Sequence, residues 1–225
     1  MKQKIEAICV HDKAYPQILK NIYDFPKKLY IKGNKAILNN TSIAIVGCRE
    51  NTKYGEKVAK SFAYHLAKNN IVIISGLARG IDSCAHIGAI YAKGKTIAVL
   101  GNGLDITYPK ENKILADKII EYGGCLISEY PIGTEPSKMN FPARNRIISG
   151  MSQGVVVVEA KERSGSLITA DFALEQGKNV FAVPGPITSA TSVGTNELIK
   201  QGAIPVTSYK EILSEVYWLC HIKLI

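Results

Sequence analysis

No C-x-x-C pair occurs in this chain: its five cysteines, at positions 9, 48, 84, 125 and 220, are odd in number and scattered. That excludes a disulfide framework and a clustered zinc site, and it fits a reducing cytosol. Long hydrophobic runs are also missing. No apolar stretch approaches the length of a membrane span, and the opening MKQKIEAICVHDKAY lacks the apolar core of a secretory leader. A soluble, cytoplasmic protein without membrane contact is expected. Acidic charge is short: 19 Asp and Glu face 28 Lys and Arg, a formal +9. Such a surplus attracts nucleic acid or an anionic surface, although a solvated lysine coat produces the same count.

The signatures of nucleotide-dependent catalysis are absent as well. Gly47-Cys48-Arg49 stands where a dinucleotide fold places its first phosphate-binding turn, but the spacing of G-x-G-x-x-G does not follow, and there is no P-loop lysine. Neither a metal-ligand cluster nor an oriented nucleophile is recognisable. His86 reads as a packed helix residue. Glu159, the one carboxylate placed where catalysis would want it, lacks a partner acid and reads as an electrostatic tether. The expectation is a protein with no catalytic residues, no cofactor and no metal.

What is present is a regular alternation. The 225 residues are 46% hydrophobic and 21% charged, enough for a full globular core. Apolar runs at Ile43–Val46, Ile71–Ile74, Thr96–Leu100, Gly124–Ser128, Val155–Val158 and Asn179–Val183 alternate with helical segments, among them Tyr54–Lys68, about Glu111–Tyr122 and one after Pro142. Asp82 is placed to cap the helix that follows Gly80. Strands without polar alternation are buried on both faces, which predicts an α/β protein with an extended Rossmann-like, doubly wound, mostly parallel sheet and helices on both sides. A TIM barrel would need eight such units. Residues 41–210 form this domain, 1–40 an N-terminal extension packed on it, with a strand at Leu29–Ile31, and 211–225 a closing helix and tail. A short helix is expected at Glu197–Gln201, and an edge strand at Ala203–Val206.

In a parallel sheet the loops at the carboxyl ends of strands converge on one crevice. Gly47 and Arg49 leave the first such strand, and a strand-end arginine offers a forked pair of donors to phosphate; the bland alternative is pairing with Glu50 or Glu56. Arg79 occupies the second strand-end loop, with a ligand or a structural role equally open. Lys138, Phe141, Arg144, Asn145 and Arg146 precede the valine strand. Pro142 suits the first turn of a helix, placing Phe141 at its mouth, and an aromatic flanked by cations is the recipe for holding single strands. The alternative is that Phe141 fills the core and one arginine ties down Glu129 or Glu159. Arg144 and Arg146 cannot share a helix face, so one of them is expected to be structural. Ser164, Gly165 and Ser166 then supply a donor-rich helix N-terminus, in part a plain serine cap.

The runs VGCR, SGLARGIDSCAH, GNGLDITYP, SEYPIGTEP, FPARNRIISGMS, VVVVEA, SGSLITADFALEQGKNVFAVPG and GTNELIKQGA resemble the DNA-processing protein A (DprA/Smf) family, from about Tyr15 to about residue 210. The resemblance implies a bacterial cytosolic protein that binds and shields single-stranded DNA during natural transformation and loads RecA recombinase onto it, usually as a homodimer. The family's DNA pocket falls here on Arg49, Lys138, Phe141, Arg144, Arg146 and Ser164–Ser166. Many members carry a sterile-alpha-motif-like domain and a winged helix, neither of which is expected in this chain. Two rival readings remain: a phosphoribohydrolase of the lysine-decarboxylase-like group, whose PGGxGTxxE run is not found, and a nucleotide-sensing module.

Overall fold

The computed structural model describes residues 4–222. Within them the chain forms one sheet of nine strands: β1 (Glu6–Cys9), β2 (Lys28–Gly33), β3 (Ser42–Val46), β4 (Val72–Ser75), β5 (Thr96–Leu100), β6 (Cys125–Ser128), β7 (Gly154–Val157), β8 (Asn179–Ala182) and β9 (Ile204–Pro205). The helices are α1 (Lys53–Lys68), α2 (Ile81–Tyr91), α3 (Lys113–Glu121), α4 (Asn140–Gly150), α5 (Gly165–Glu175), α6 (Val193–Lys200) and α7 (Tyr209–Ile222). The strand order is β1-β2-β6-β5-β4-β3-β7-β8-β9. Every pairing from β6 to β9 is parallel, and β2 and β1 add on antiparallel at one edge. This is the expected mostly parallel, doubly wound α/β architecture.

Side chains alternate across the strands, and each set meets a different helix layer. Ile43, Ile45, Ile73, Val156 and Phe181 pack under α1, α2 and α7 through Phe62, Leu66, Ala85 and Ile212. Ala44, Val46, Ile74, Val155 and Val157 face α4, α5 and α6 through Ile147, Ile148, Ala173 and Leu198. Further along the sheet, Ala98, Leu100 and Leu126 meet α3 at Ala116 and Ile119. Tyr15 and Leu19, ahead of the first parallel strand, are fully buried in the α4 layer. Burial on both faces is why the strands read as unbroken apolar runs.

Three local expectations are corrected. Asp82 does not cap α2: the position before the helix is Gly80, and the Asp82 carboxylate, in the first turn, turns back to accept from Gly76 N at 3.1 Å and Ala78 N at 3.4 Å. α6 starts at Val193, not Glu197, because Gly194 N bonds Ala160 O at 2.8 Å and docks the first turn directly on the segment after β7. The spacing predicts a closing amphipathic helix over Tyr209–Trp218; α7 keeps that start but continues to Ile222, and the last three residues of the expected tail lie outside the described residues.

Strand order reverses between β3 and β7: β4, β5 and β6 build outward on one side of β3, and β8 and β9 on the other side of β7. The loops leaving β3 and β7 diverge there and open a crevice at the carboxyl edge, the usual ligand position in open α/β sheets.

Candidate functional site

The loops after β3, β4 and β7 meet the N-termini of α2, α4 and α5 around an open cavity of about 670 Å³. Nine of the ten residues singled out from the sequence line it: Gly47, Arg49, Lys138, Phe141, Arg144, Asn145, Ser164, Gly165 and Ser166. Arg146 does not.

Gly47 ends the turn after β3 where packing leaves no room for a side chain: an added Cβ would lie 2.7 Å from Ile81 Cγ1 and 2.9 Å from Glu159 O. Arg49 follows, exposed at the rim, its guanidinium carbon 6.0 Å from the centre of the Phe141 ring. Its sequence neighbours are engaged elsewhere, Glu50 with Lys161 at 2.7 Å and Glu56 with Lys60, and among the described residues no ion pair involves Arg49. Phe141 lies in the first turn of α4, ahead of Pro142. The ring of Tyr108 stacks on it, 5.3 Å between centres and 23° between planes.

Arg144 is 6% exposed. Its Nη1 donates to Gly76 O at 2.9 Å and to Val99 O, and its Nε donates to Asn145 Oδ1 at 3.2 Å. Burial pushes its pKa down to about 10; Asp82 pulls it upward and Arg49 adds to the fall, and the group is still cationic at neutral pH. Burial likewise raises the Asp82 carboxyl above its usual range, against the opposing influence of Arg144 and the two loop amides. Gly76 is required here, since a Cβ would sit 2.8 Å from both Arg144 Nη2 and Asp82 Oδ2. The result is a buried cation held rigidly by backbone carbonyls with one edge toward the crevice.

Asn145 Nδ2 donates to Gly165 O at 3.2 Å, tying α4 to the start of α5. Ser164 caps α5: its Oγ accepts from Ser166 N at 3.4 Å and lies 2.8 Å from Ser166 Oγ. Lys138 is exposed and also lines the crevice. Arg146 turns the other way on α4, where Nη1 and Nη2 each donate to Glu129 at 2.7 Å and Nε donates to Asp24 Oδ2 at 3.1 Å. Of the two arginines, this is the tether, and Glu129 is its acid.

Among the lining residues not singled out from the sequence, an aromatic and two cations could meet a ligand: Tyr108, Lys161 and Arg163. The two cations stand in the open between the valine strand and Ser164, and their charge was the available signal. Tyr108 arrives from the long loop after β5, at the end of the run GNGLDITYP, where Pro109 signals a turn and not a ligand contact. Arg79 reaches the crevice but pairs with Glu111. The lining thus carries six cations, Arg49, Arg79, Lys138, Arg144, Lys161 and Arg163, against two carboxylates, Glu50 and Asp82.

His86 is fully buried. Thr96 Oγ1 gives its only proton to Ile73 O at 2.7 Å and so accepts from His86 Nδ1, also at 2.7 Å. Burial, with a smaller push from Arg144, lowers the imidazole pKa to about 3. It is a neutral packing residue. Glu159 is 2% exposed and is held by neutral donors, Thr52 N at 2.9 Å, Thr52 Oγ1 at 2.6 Å and Thr191 Oγ1 at 3.1 Å; it tethers α1 by hydrogen bonds, with no ion pair among the described residues.

Fold and site together define a doubly wound α/β protein whose switch-point crevice carries a surplus of cations. The family model for DNA recombination-mediator protein A matches residues 6–217, and the chain belongs to that family. It is 49% identical to protein Smf of Escherichia coli over 92% of this chain and 55% of that protein. To DNA processing protein DprA of Streptococcus pneumoniae it is 48% identical over 95% of this chain and 75% of the relative. The crystal structure of the pneumococcal protein superposes with a TM-score of 0.89. DNA processing protein A of Helicobacter pylori, whose structure concerns its single-stranded DNA binding mode, superposes with a TM-score of 0.85 at 32% identity, over 96% of this chain and 98% of that one. The chain thus spans about half of one relative and three quarters of another. Among the described residues no helix is long and apolar enough to cross a membrane.

Proposed function

We propose that this protein binds single-stranded DNA in the switch-point crevice, as a non-catalytic holder with little sequence preference. The observation that carries this reading is Arg49: an exposed guanidinium with no ion pair among the described residues, set over Phe141 at the mouth of a crevice lined by five further cations. Phosphates sit against Arg49, Lys138, the accessible edge of Arg144 and the amides and hydroxyls of Ser164–Ser166, where the N-terminus of α5 favours negative charge. A base stacks on the Phe141–Tyr108 pair. Residues 41–210 are the DNA-gripping domain, with 1–40 bracing it. Arg146 contributes through Glu129 and not through DNA.

Membership of a recombination-mediator family supports the wider reading: the protein shields incoming strands in the cytoplasm during natural transformation, works as a homodimer and delivers the strand to RecA recombinase. Single-stranded DNA is the ligand named for the Helicobacter pylori relative.

Arg49→Ala tests the crevice. Measured by fluorescence polarisation on labelled single strands, its affinity is expected to fall about tenfold, and equally for thymine, adenine and cytosine tracts, since a phosphate contact is blind to sequence. Unchanged affinity would remove the proposed site.

A further inference from the structure

One step along the same rim lies a second cavity, of about 560 Å³. Its lining includes Thr52 and Glu159, each two residues from a wall of the first crevice, Glu50 and Lys161 respectively. A strand leaving the basic crevice over the N-terminus of α1 runs into it. The chemistry changes at that point. Among the described residues no cation lines this cavity, and its one charged group there is Glu159, buried with three neutral donors and without an ion pair. A phosphate is repelled from such a site, whereas a neutral ring carrying N–H donors is attracted. The remaining walls suit a flat ring. Tyr54 is 46% exposed, and its phenol O–H donates to Pro184 O at 3.0 Å, fixing the ring as a plate. Pro184 and Pro186 provide apolar faces, Ser189 and Ser192 add hydroxyls, and Ile187, next to Pro186, is 93% exposed.

We infer that this cavity takes a nucleobase from the same strand whose phosphates occupy the basic crevice, with Tyr54 as the stacking plate. The inference rests on the DNA-binding reading above and adds a second base-holding station. It makes Tyr54 a binding residue that acts on bases alone, so its contribution depends on strand length and not on salt.

The test uses deoxycytidine oligonucleotides, because the cytosine amino group is a donor that a carboxylate accepts. Affinity is measured against length over about 4–16 nucleotides, the span of single-strand sites. Abasic substitutions are then scanned through the shortest strand that reaches full affinity, in the wild-type protein and in Tyr54→Ala. One abasic position is expected to weaken wild-type binding about fivefold or more and to cost Tyr54→Ala nothing further, while the shortest strands bind both proteins equally. Tyr54→Leu, which keeps apolar bulk without the plate, is expected to behave as Tyr54→Ala and guards against a folding defect. If every abasic position costs the variants as much as the wild type, the second station does not exist. If no strand binds the wild type, or Arg49→Ala changes nothing, the DNA reading itself fails and takes this inference with it.

Discussion

Arg144 and Arg146, with one residue between them on α4, are turned to opposite purposes by what surrounds them. Arg144 reaches the carboxyl edge of the sheet, where Gly76 O and Val99 O hold it in place beside the crevice. Arg146 meets Glu129 in a forked pair whose two side chains are 12% and 16% exposed. Removing one partner of a sheltered pair leaves the other desolvated without compensation. Arg146→Ala is therefore expected to lose about 2 kcal/mol of stability, read as a lower urea midpoint, with binding of single strands little changed. A stable variant that no longer binds DNA would reverse the assignment of the two arginines. The tether also explains why the sequence alone left the choice open: Glu129 and Asp24 come from distant segments, one before α4 and one between β1 and β2.

At the scale of elements, α2 links the crevice to the core. Its first turn holds Asp82 against the loop after β4, and its second buries His86 against Thr96. The imidazole pKa falls from 6.5 to about 3 in the fold, so the unfolded chain takes up a proton that the folded one refuses. The stabilisation is complete above pH 6.5 and is lost as pH falls toward 3, by about 1.4 kcal/mol per unit. His86→Leu cannot titrate there. In urea unfolding between about pH 4 and 7 the stability of wild type relative to this variant is expected to decline with acidification; parallel profiles would contradict the buried neutral imidazole. The six central strands were legible because burial on both faces writes them as apolar runs. β1 was not, since Glu6–Cys9 buries one residue in four. α6 began earlier than its sequence suggested because Gly194, a weak helix former, is fixed by contact with Ala160. The cations and donors of the crevice were legible from strand ends, whereas Tyr108 is brought in by a loop whose path is set by tertiary packing.

For the whole molecule, the surplus of +9 is not spread evenly: at the crevice six cations face two carboxylates, while one cavity further along the rim there is only Glu159. In the proposed reading a polynucleotide is gripped through its backbone and one base in the first place and through a further base in the second. Duplex DNA keeps its bases stacked inside and offers nothing to Phe141 or Tyr108. The most direct measurement is a salt titration of affinity for single- and double-stranded oligonucleotides of equal length. Tighter binding to the single strand is expected throughout, with log affinity falling linearly against log salt at a slope of about −2 to −3, the release from three or four phosphates. Affinity that does not respond to salt, or a duplex bound as tightly as the single strand, would contradict a basic crevice that grips a bare strand.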